Sequence, residues 1–120
     1  MSLVVSSDPA TDPVTVAEAK SHMRVDTSDD DTLIGGLVTG ATLYAQTYTG
    51  RAFVTQTLEL RIDEFPTTEI RLPKSPSQSV TSIQYVDTDG DTQTWSSGDY
   101  VVDVNSKPAR VRPAVDEDWP

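Results

Sequence analysis

The 120-residue sequence contains no cysteine. It can therefore form no disulfide, and it offers neither a thiol nucleophile nor a thiolate zinc site. No apolar run approaches the ~20 residues that a membrane-spanning helix needs. The first residues also lack the basic segment that opens a secretory signal peptide. We therefore expect a soluble, intracellular chain that forms one domain over residues 1–120.

Basic residues are scarce. Nine Lys and Arg stand against 19 Asp and Glu, which gives a net charge of −10 and a pI near 4.2. Because binding to nucleic acid by phosphate neutralisation needs clustered Lys and Arg, this balance argues against it. The one local concentration of basic residues is Lys107, Arg110 and Arg112. These side chains can pair with the chain's own acids or with an acidic partner, which makes Arg110 and Arg112 candidate interface residues.

Residues arranged for catalysis are missing as well. His22 is the single histidine, and no serine lies in the glycine-containing turn that exposes a hydrolase nucleophile. Neither GxGxxG nor GxxxxGKS/T occurs, so no phosphate-binding loop is indicated. A carboxylate-dependent hydrolase using Asp29 or Asp87 is an alternative, but the sequence places no pair of acids in a cleft. We expect no catalytic residue, no cofactor, no metal and no enzymatic activity.

An extended arm and a short helix are predicted first. Two prolines exclude a continuous helix from the arm, residues 1–13. Thr15 and Glu18 have the spacing of a capping box, which predicts the start of an amphipathic helix. Its apolar stripe ends around Arg24 or Val25.

A longer helix follows. Ser28 is a good N-cap, and Asp29–Asp31 would fill the first turn, where the helix dipole favours negative charge. Gly50 supplies the C-terminal stop. Gly36 and Gly40 lie four apart on one face, and each costs about 1 kcal/mol relative to alanine. Close approach of another backbone, from a helix of the same chain or from a neighbouring subunit, would offset that cost.

After Gly50 the hydrophobic period changes from 3.6 to 2. Strands are predicted at TQTLELRID, EIRL, SVTSIQYV, TQTW, DYVVDV and ARVR. The order of elements predicts an α+β fold. It consists of the arm (1–13), a helical part with one short and one long helix (14–50), and a mostly antiparallel β region with hairpins (51–120).

The stretch DTDGD, residues 87–91, resembles the start of a calcium loop. Such a loop needs glycine at position 6 and glutamate at position 12, but with Gly90 at position 6, position 12 is a serine. Asp89-Gly90 is instead the favoured centre of a two-residue type I′ turn between alternating strands. We therefore predict a hairpin. Weak cation binding by Asp87, Asp89 and Asp91, in a small acidic binding module that depends on calcium, stays the alternative.

Large aromatic residues are few, and protein interfaces favour them. Trp95 and Tyr100 are expected in the core, which is the commoner location. Trp119 stands at the extreme end, between Asp118 and Pro120. It is the better candidate for an interface.

The order of these segments resembles a known family. The opening TVAEAKSHMRVD, the acidic stretch before an LI helix, and YTGRA leading into TQT are similar to the N-terminal half of tailed-phage head–tail connector (adaptor) proteins. Prophages and gene transfer agents also carry such proteins. LPKSPSQSVTSIQYVDTDGDTQTW and DYVVDV resemble the β portion of the family, in which YVDxDG is a familiar hairpin. The resemblance covers roughly residues 13–120.

The resemblance implies a structural role in the neck of a virion. Family members assemble as a ring, commonly twelvefold, beneath the portal of the capsid. They bridge the portal to stopper or tail proteins while DNA passes through the lumen without specific binding. They are not enzymes and need no cofactor. A virion protein assembled in the host cytoplasm is therefore expected, with Asp89 and Gly90 at an exposed tip that is free to touch a neighbour.

One feature departs from the family pattern. Relatives usually continue beyond the WP with another strand and C-terminal helices that help engage the portal, whereas this sequence ends at Pro120. The portal contact is then supplied differently here, for example by the N-terminal arm, or the sequence is a shorter branch or fragment of the family.

Overall fold

Two helices precede most of the strands, as the sequence predicts. The computed structural model describes residues 1–120 and contains, in chain order, β1 (Ser2–Ser7), α1 (Val16–Met23), α2 (Asp31–Thr49), β2 (Thr57–Arg61), β3 (Ile70–Leu72), β4 (Ile83–Val86), β5 (Thr92–Trp95), β6 (Tyr100–Asp103) and β7 (Ala109–Pro113). The short helix, the long helix and the antiparallel pairs among β3–β7 confirm the α+β class. Each of the six strands predicted after the helices is present. Strand β1 adds to the prediction, because part of the extended arm pairs with β2.

The chain divides into two compact units. Residues Ser2–Leu60 contain β1, both helices and most of β2. Residues Arg61–Pro120, with which Met1 is grouped, contain the strands from β3 onward. The single domain over residues 1–120 stays a prediction.

Helix α1 begins and ends through local backbone chemistry. The Thr15 hydroxyl accepts a hydrogen bond from the Glu18 backbone N–H at 3.1 Å, and the Glu18 carboxylate accepts one from the Thr15 N–H at 3.0 Å. This reciprocal pair is the predicted capping box. Arg24 ends the helix in the left-handed conformation, at φ 58°, where its N–H bonds back to the carbonyls of Lys20 and Ser21.

Helix α2 begins later than the sequence predicts. Asp30 is its N-cap and makes no side-chain hydrogen bond there, so the predicted N-cap at Ser28 is wrong. The Ser28 carbonyl accepts instead from the Asp31 N–H in a preceding turn. The Lys20 ammonium of α1 lies 2.6 Å from the Asp31 carboxylate. This ion pair joins α1 to the first turn of α2, a contact that local propensity does not include. Of the three aspartates, Asp31 alone lies in the first turn.

The inner face of α2 packs within its own unit. Ile34 is 6 % exposed. A Cβ at Gly35 would lie 3.6 Å from the Val16 side chain, so Gly35 is where α1 contacts α2. At the other end, the side-chain amide oxygen of the buried Gln46 accepts hydrogen bonds from the Phe53 N–H at 3.0 Å and from the Gln56 side chain at 3.3 Å. These bonds fix the loop that follows Gly50, the predicted stop of the helix, at φ 65°.

The β unit is built around strand β7. Strands β3, β7 and β6 form an antiparallel sheet with β7 in the centre, while β4 and β5 form a separate hairpin. Ala109 and Val111 on β7 are 0 % and 1 % exposed. Because side chains alternate along a strand, Arg110 and Arg112 lie on the opposite face, toward solvent.

Replacing Gly36 or Gly40 by alanine is expected to raise the free energy of unfolding of the monomer by about 0.5–1 kcal/mol each. Alanine has the higher helix propensity, and the added Cβ causes no clash because no atom of the chain lies within 4 Å of it at either position. Urea denaturation of dilute protein measures the effect. Gly50→Ala is the control, expected to destabilise by about 1 kcal/mol because its φ is +65°. A loss of stability at Gly36 or Gly40 would contradict the open helix face.

Candidate interaction surfaces

The exposed face of β7 carries an ion-pair network. The Arg110 guanidinium lies 3.4 Å from a Glu69 carboxylate oxygen and 3.3 Å from an Asp103 oxygen. Its Nε donates to the Ser106 hydroxyl at 3.1 Å. Glu69 also pairs with Arg71, at 3.0 Å. Arg110 is therefore engaged by acids of its own chain, the first of the two alternatives that the sequence left open.

Arg112 stands in a different electrostatic position. It borders the same shallow surface depression as Glu69, Asp103 and Arg110. Its side chain is exposed and makes no ion pair with the chain. Arg112 is thus the member of the pair whose positive charge is open to an outside partner.

Asp103 is held in its charged form. Hydrogen bonds from the backbone N–H groups of Ser106 and Asn105, together with the Arg110 guanidinium, lower the pKa of Asp103. Since the pKa is lowered on folding, the stabilisation is present above the ordinary Asp value and is lost as the pH falls through the folded value. At neutral pH Asp103 is therefore ionised beside Arg110.

The hairpin at residues 87–91 is confirmed, but its turn type differs from the prediction. Val86 pairs with Thr92, and the Gly90 N–H donates to the Asp87 carbonyl at 3.1 Å. Gly90 has a positive φ of 90°, whereas Asp89 does not have a positive φ. A two-residue type I′ turn needs both, so that prediction is wrong. The connection is the longer kind, a turn from Asp87 to Gly90 with glycine in the left-handed position.

The Asp87 carboxylate explains this turn. One oxygen accepts hydrogen bonds from the N–H groups of Asp89 at 3.0 Å and Asp91 at 2.9 Å, and the other accepts from the Gln93 amide at 2.9 Å. The bond from Gln93 and the backbone bonds lower the pKa of Asp87. Both oxygens are engaged in shaping the turn. No group of three acids or histidines in residues 1–120 is arranged to hold a metal ion. Asp89 and Gly90 lie exposed at the tip.

An aromatic cluster closes the β unit. Trp95 is 7 % exposed, which confirms its core location. The Trp119 ring lies 5.4 Å from the Trp95 ring and 5.2 Å from that of Phe65, while Tyr100 lies 5.1 Å from Trp95 on another side (centroid distances). Trp119 is half-buried in its own chain, and its role at an interface stays a prediction. The sequence reasoning missed Phe65, which lies outside any periodic stretch.

A second surface lies on α2, and the sequence indicated its two glycines but not the side chains around them. We call it the outer face: Gly36 and Gly40, with the exposed side chains of Leu33 (61 %), Leu37 (62 %), Leu43 (59 %), Tyr44 (74 %) and Tyr48 (83 %). The Tyr44 and Tyr48 rings stack, with centroids 6.4 Å apart. Apolar residues occur all round this helix, instead of on one stripe, and that pattern is the signal that could have revealed the face.

These surfaces belong to a chain whose family can be stated. A family model of the phage gp6-like head–tail connector protein matches residues 13–115, which include both helices and the strands from β2 onward. The chain belongs to this family. Comparison with curated proteins and with solved structures gave no match.

Membership gives the chain a general role. Proteins of this family are structural components of the phage virion and connect the head to the tail. The chain is thus a phage head–tail connector, a component of the neck. No helix in the structure combines the length and apolar character that crossing a bilayer requires.

Trp119→Ala is expected to lower the free energy of unfolding by about 2 kcal/mol, because it uncovers Phe65 and Trp95. Guanidinium denaturation followed by Trp95 fluorescence measures this loss. Trp119→Phe, which keeps an aromatic ring in place, is the control and should retain most of the stability. An alanine variant as stable as the parent would show that the cluster does not need the C-terminal indole.

Proposed function

We propose that the chain is the subunit of a ring, of the twelvefold type suggested by the resemblance, that lies beneath the portal and joins the capsid to stopper or tail proteins. The observation that carries the proposal is the family match over residues 13–115. The exposed surfaces of the subunit support it, since a ring subunit must contact neighbours on two sides as well as its axial partners. Assembly takes place in the host cytoplasm.

The charge of the chain suits a channel for DNA. Nine basic residues against 19 acidic ones leave few cations to neutralise phosphates. A lumen formed by such subunits repels the DNA backbone, so DNA passes without being bound. The proposed role involves no bond-making step, and it therefore needs neither an enzymatic activity nor a cofactor.

The axial contacts are proposed from the free charge on β7. Arg110 is already compensated by Glu69 and Asp103, whereas Arg112 is exposed beside them without an ion pair. An acidic surface of the portal or stopper would find its counter-charge at Arg112. We propose Arg112 as the main electrostatic contact and Arg110 as the residue that orders the surrounding acids.

The remaining candidate residues are proposed as secondary contacts. Asp89 and Gly90 project at the hairpin tip, where an exposed turn can touch a neighbour without disturbing the sheet. Trp119 keeps part of its indole accessible while its ring rests on Phe65. Gly36 and Gly40 lie in the outer face of α2.

The test uses purified portal rings of the same phage mixed with the connector chain. Native mass spectrometry is expected to show a ring of connector subunits bound to the portal, or bound once stopper protein is added. Arg112→Glu should weaken that attachment about 3–10-fold and steepen its loss with salt, as expected of a charge at the rim of an interface.

Arg51→Glu, an equal charge change at an exposed position of the other unit, is the matched control. It should leave attachment unchanged. If the parent chain binds neither portal nor stopper and is missing from purified particles, the proposed function is wrong. If Arg112→Glu binds like the parent, the ring stands and the assignment of Arg112 fails.

A further inference from the structure

The outer face of α2 is a continuous row along the helix. Leu33, Leu37, Gly40, Tyr44 and Tyr48 follow one another at spacings of three and four residues, which places them above one another on one side. The inner side of the same helix holds Ile34 and Gln46, which are buried. The row is therefore a second apolar side of α2, different from the side that is buried within the subunit.

The outer face is at the upper end of the size of apolar patch that a lone subunit exposes. Two tyrosines that are 74 % and 83 % exposed and three leucines that are 59–62 % exposed leave on the order of 600 Å² accessible. Contiguous apolar patches on monomers rarely exceed a few hundred Å², and a standard interface buries about 800 Å² on each partner. The face is large enough to supply most of one side of a stable interface.

Charge indicates what kind of partner covers this face. Residues 32–50 contain no Asp, Glu, Lys, Arg or His, and this is the longest uncharged stretch of the chain. Two copies that each carry −10 repel one another, least where charges are missing. The outer face is thus the surface on which a second copy can approach with the least repulsion. A charged partner would gain nothing specific from it.

The shape of the face favours a closely packed protein surface. Gly36 and Gly40 leave open space between the side chains of Leu37 and Tyr44, with no atom of the chain within 4 Å of either Cβ position. Backbone or a large side chain of a neighbour can enter there. Tyrosine adds contact area at low cost in conformational entropy, which is why interfaces are rich in it.

We propose that the outer face of α2 packs against a neighbouring copy of this chain. The inference rests on the proposed ring and specifies which surface makes the lateral contact. In a closed ring the contact is heterologous, so the outer face of one subunit meets a different surface of the next. The exposed leucines and tyrosines are then buried at every junction of the ring.

Sedimentation velocity over a range of concentrations, with and without portal rings, tests the proposal. Leu37→Glu is expected to raise the concentration needed for assembly at least tenfold, since it buries a charge at the centre of the contact. Val86→Glu is the matched control: Val86 is 67 % exposed on the β4–β5 hairpin, which belongs to the other unit, and its variant should assemble like the parent. Circular dichroism confirms that each variant is folded.

Gly40→Leu provides a second variant that keeps the face apolar and fills the open space. It should prevent close packing while the subunit melts no earlier than the parent, and normal assembly of this variant together with Leu37→Glu would overturn the proposal. Because the chain has no cysteine, a photo-crosslinker attached at Leu37→Cys reports the occupant directly. Crosslinking to another copy of the chain would support the proposal. Crosslinking to portal or tail protein would overturn it. Failure of the proposed function looks different: the parent chain itself would not assemble on portal rings.

Discussion

The small supply of apolar side chains is the constraint on which the rest of the structure depends. Hydrophobic residues make up 36 % of the sequence, and the buried ones among them are Ile34, Trp95, Ala109 and Val111. The helical unit therefore has one buried apolar residue and the β unit has three, and polar interactions supply further stabilisation. In the helical unit these are the capping box at Thr15, the ion pair from Lys20, and the hydrogen bonds of Gln46. The same chain nevertheless leaves five large apolar side chains exposed on α2, and this is the surface proposed to pack against a neighbouring copy.

In the β unit, the few buried apolar residues also determine where the charged side chains lie. Burial of Ala109 and Val111 fixes β7 in the centre of its sheet, and the alternation of a strand then turns Arg110 and Arg112 toward solvent. Glu69, the residue before β3, and Asp103 on β6 form ion pairs with Arg110 and leave Arg112 without one. The electrostatic surface of the connector is thus a consequence of which β7 side chains the core requires.

Features governed by neighbouring residues could be predicted from the sequence, and features governed by distant residues could not. The capping box, the Gly50 stop and the strands depend on local chemistry and period, and all of them are present. The ion pair at the start of α2 comes from Lys20 of another helix, and the pairing of β1 with β2 joins segments far apart in sequence. The hairpin at Asp87 was predicted, but its turn type was not, because the Asp87 carboxylate itself accepts hydrogen bonds from the loop.

The candidate surfaces, too, could be predicted only as far as they depend on neighbouring residues. The alternation in ARVR was enough to place both arginines on one face, but only the structure shows that Arg110 is paired and Arg112 is not. For α2, apolar residues occur on both sides of the helix, and their spacing cannot tell which side the fold buries. The exposed side is the feature that links the fold to the proposed ring, in which it would pack against a neighbouring subunit.

The most direct test of this account is the accessibility of the outer face before and after assembly. A single cysteine at Tyr44, in a chain that has no other, can be labelled with a maleimide in the free subunit and in the portal-bound assembly. The account predicts rapid labelling of the free subunit, where Tyr44 is 74 % exposed, and at least tenfold slower labelling in the assembly. Equal labelling rates in both states would contradict it.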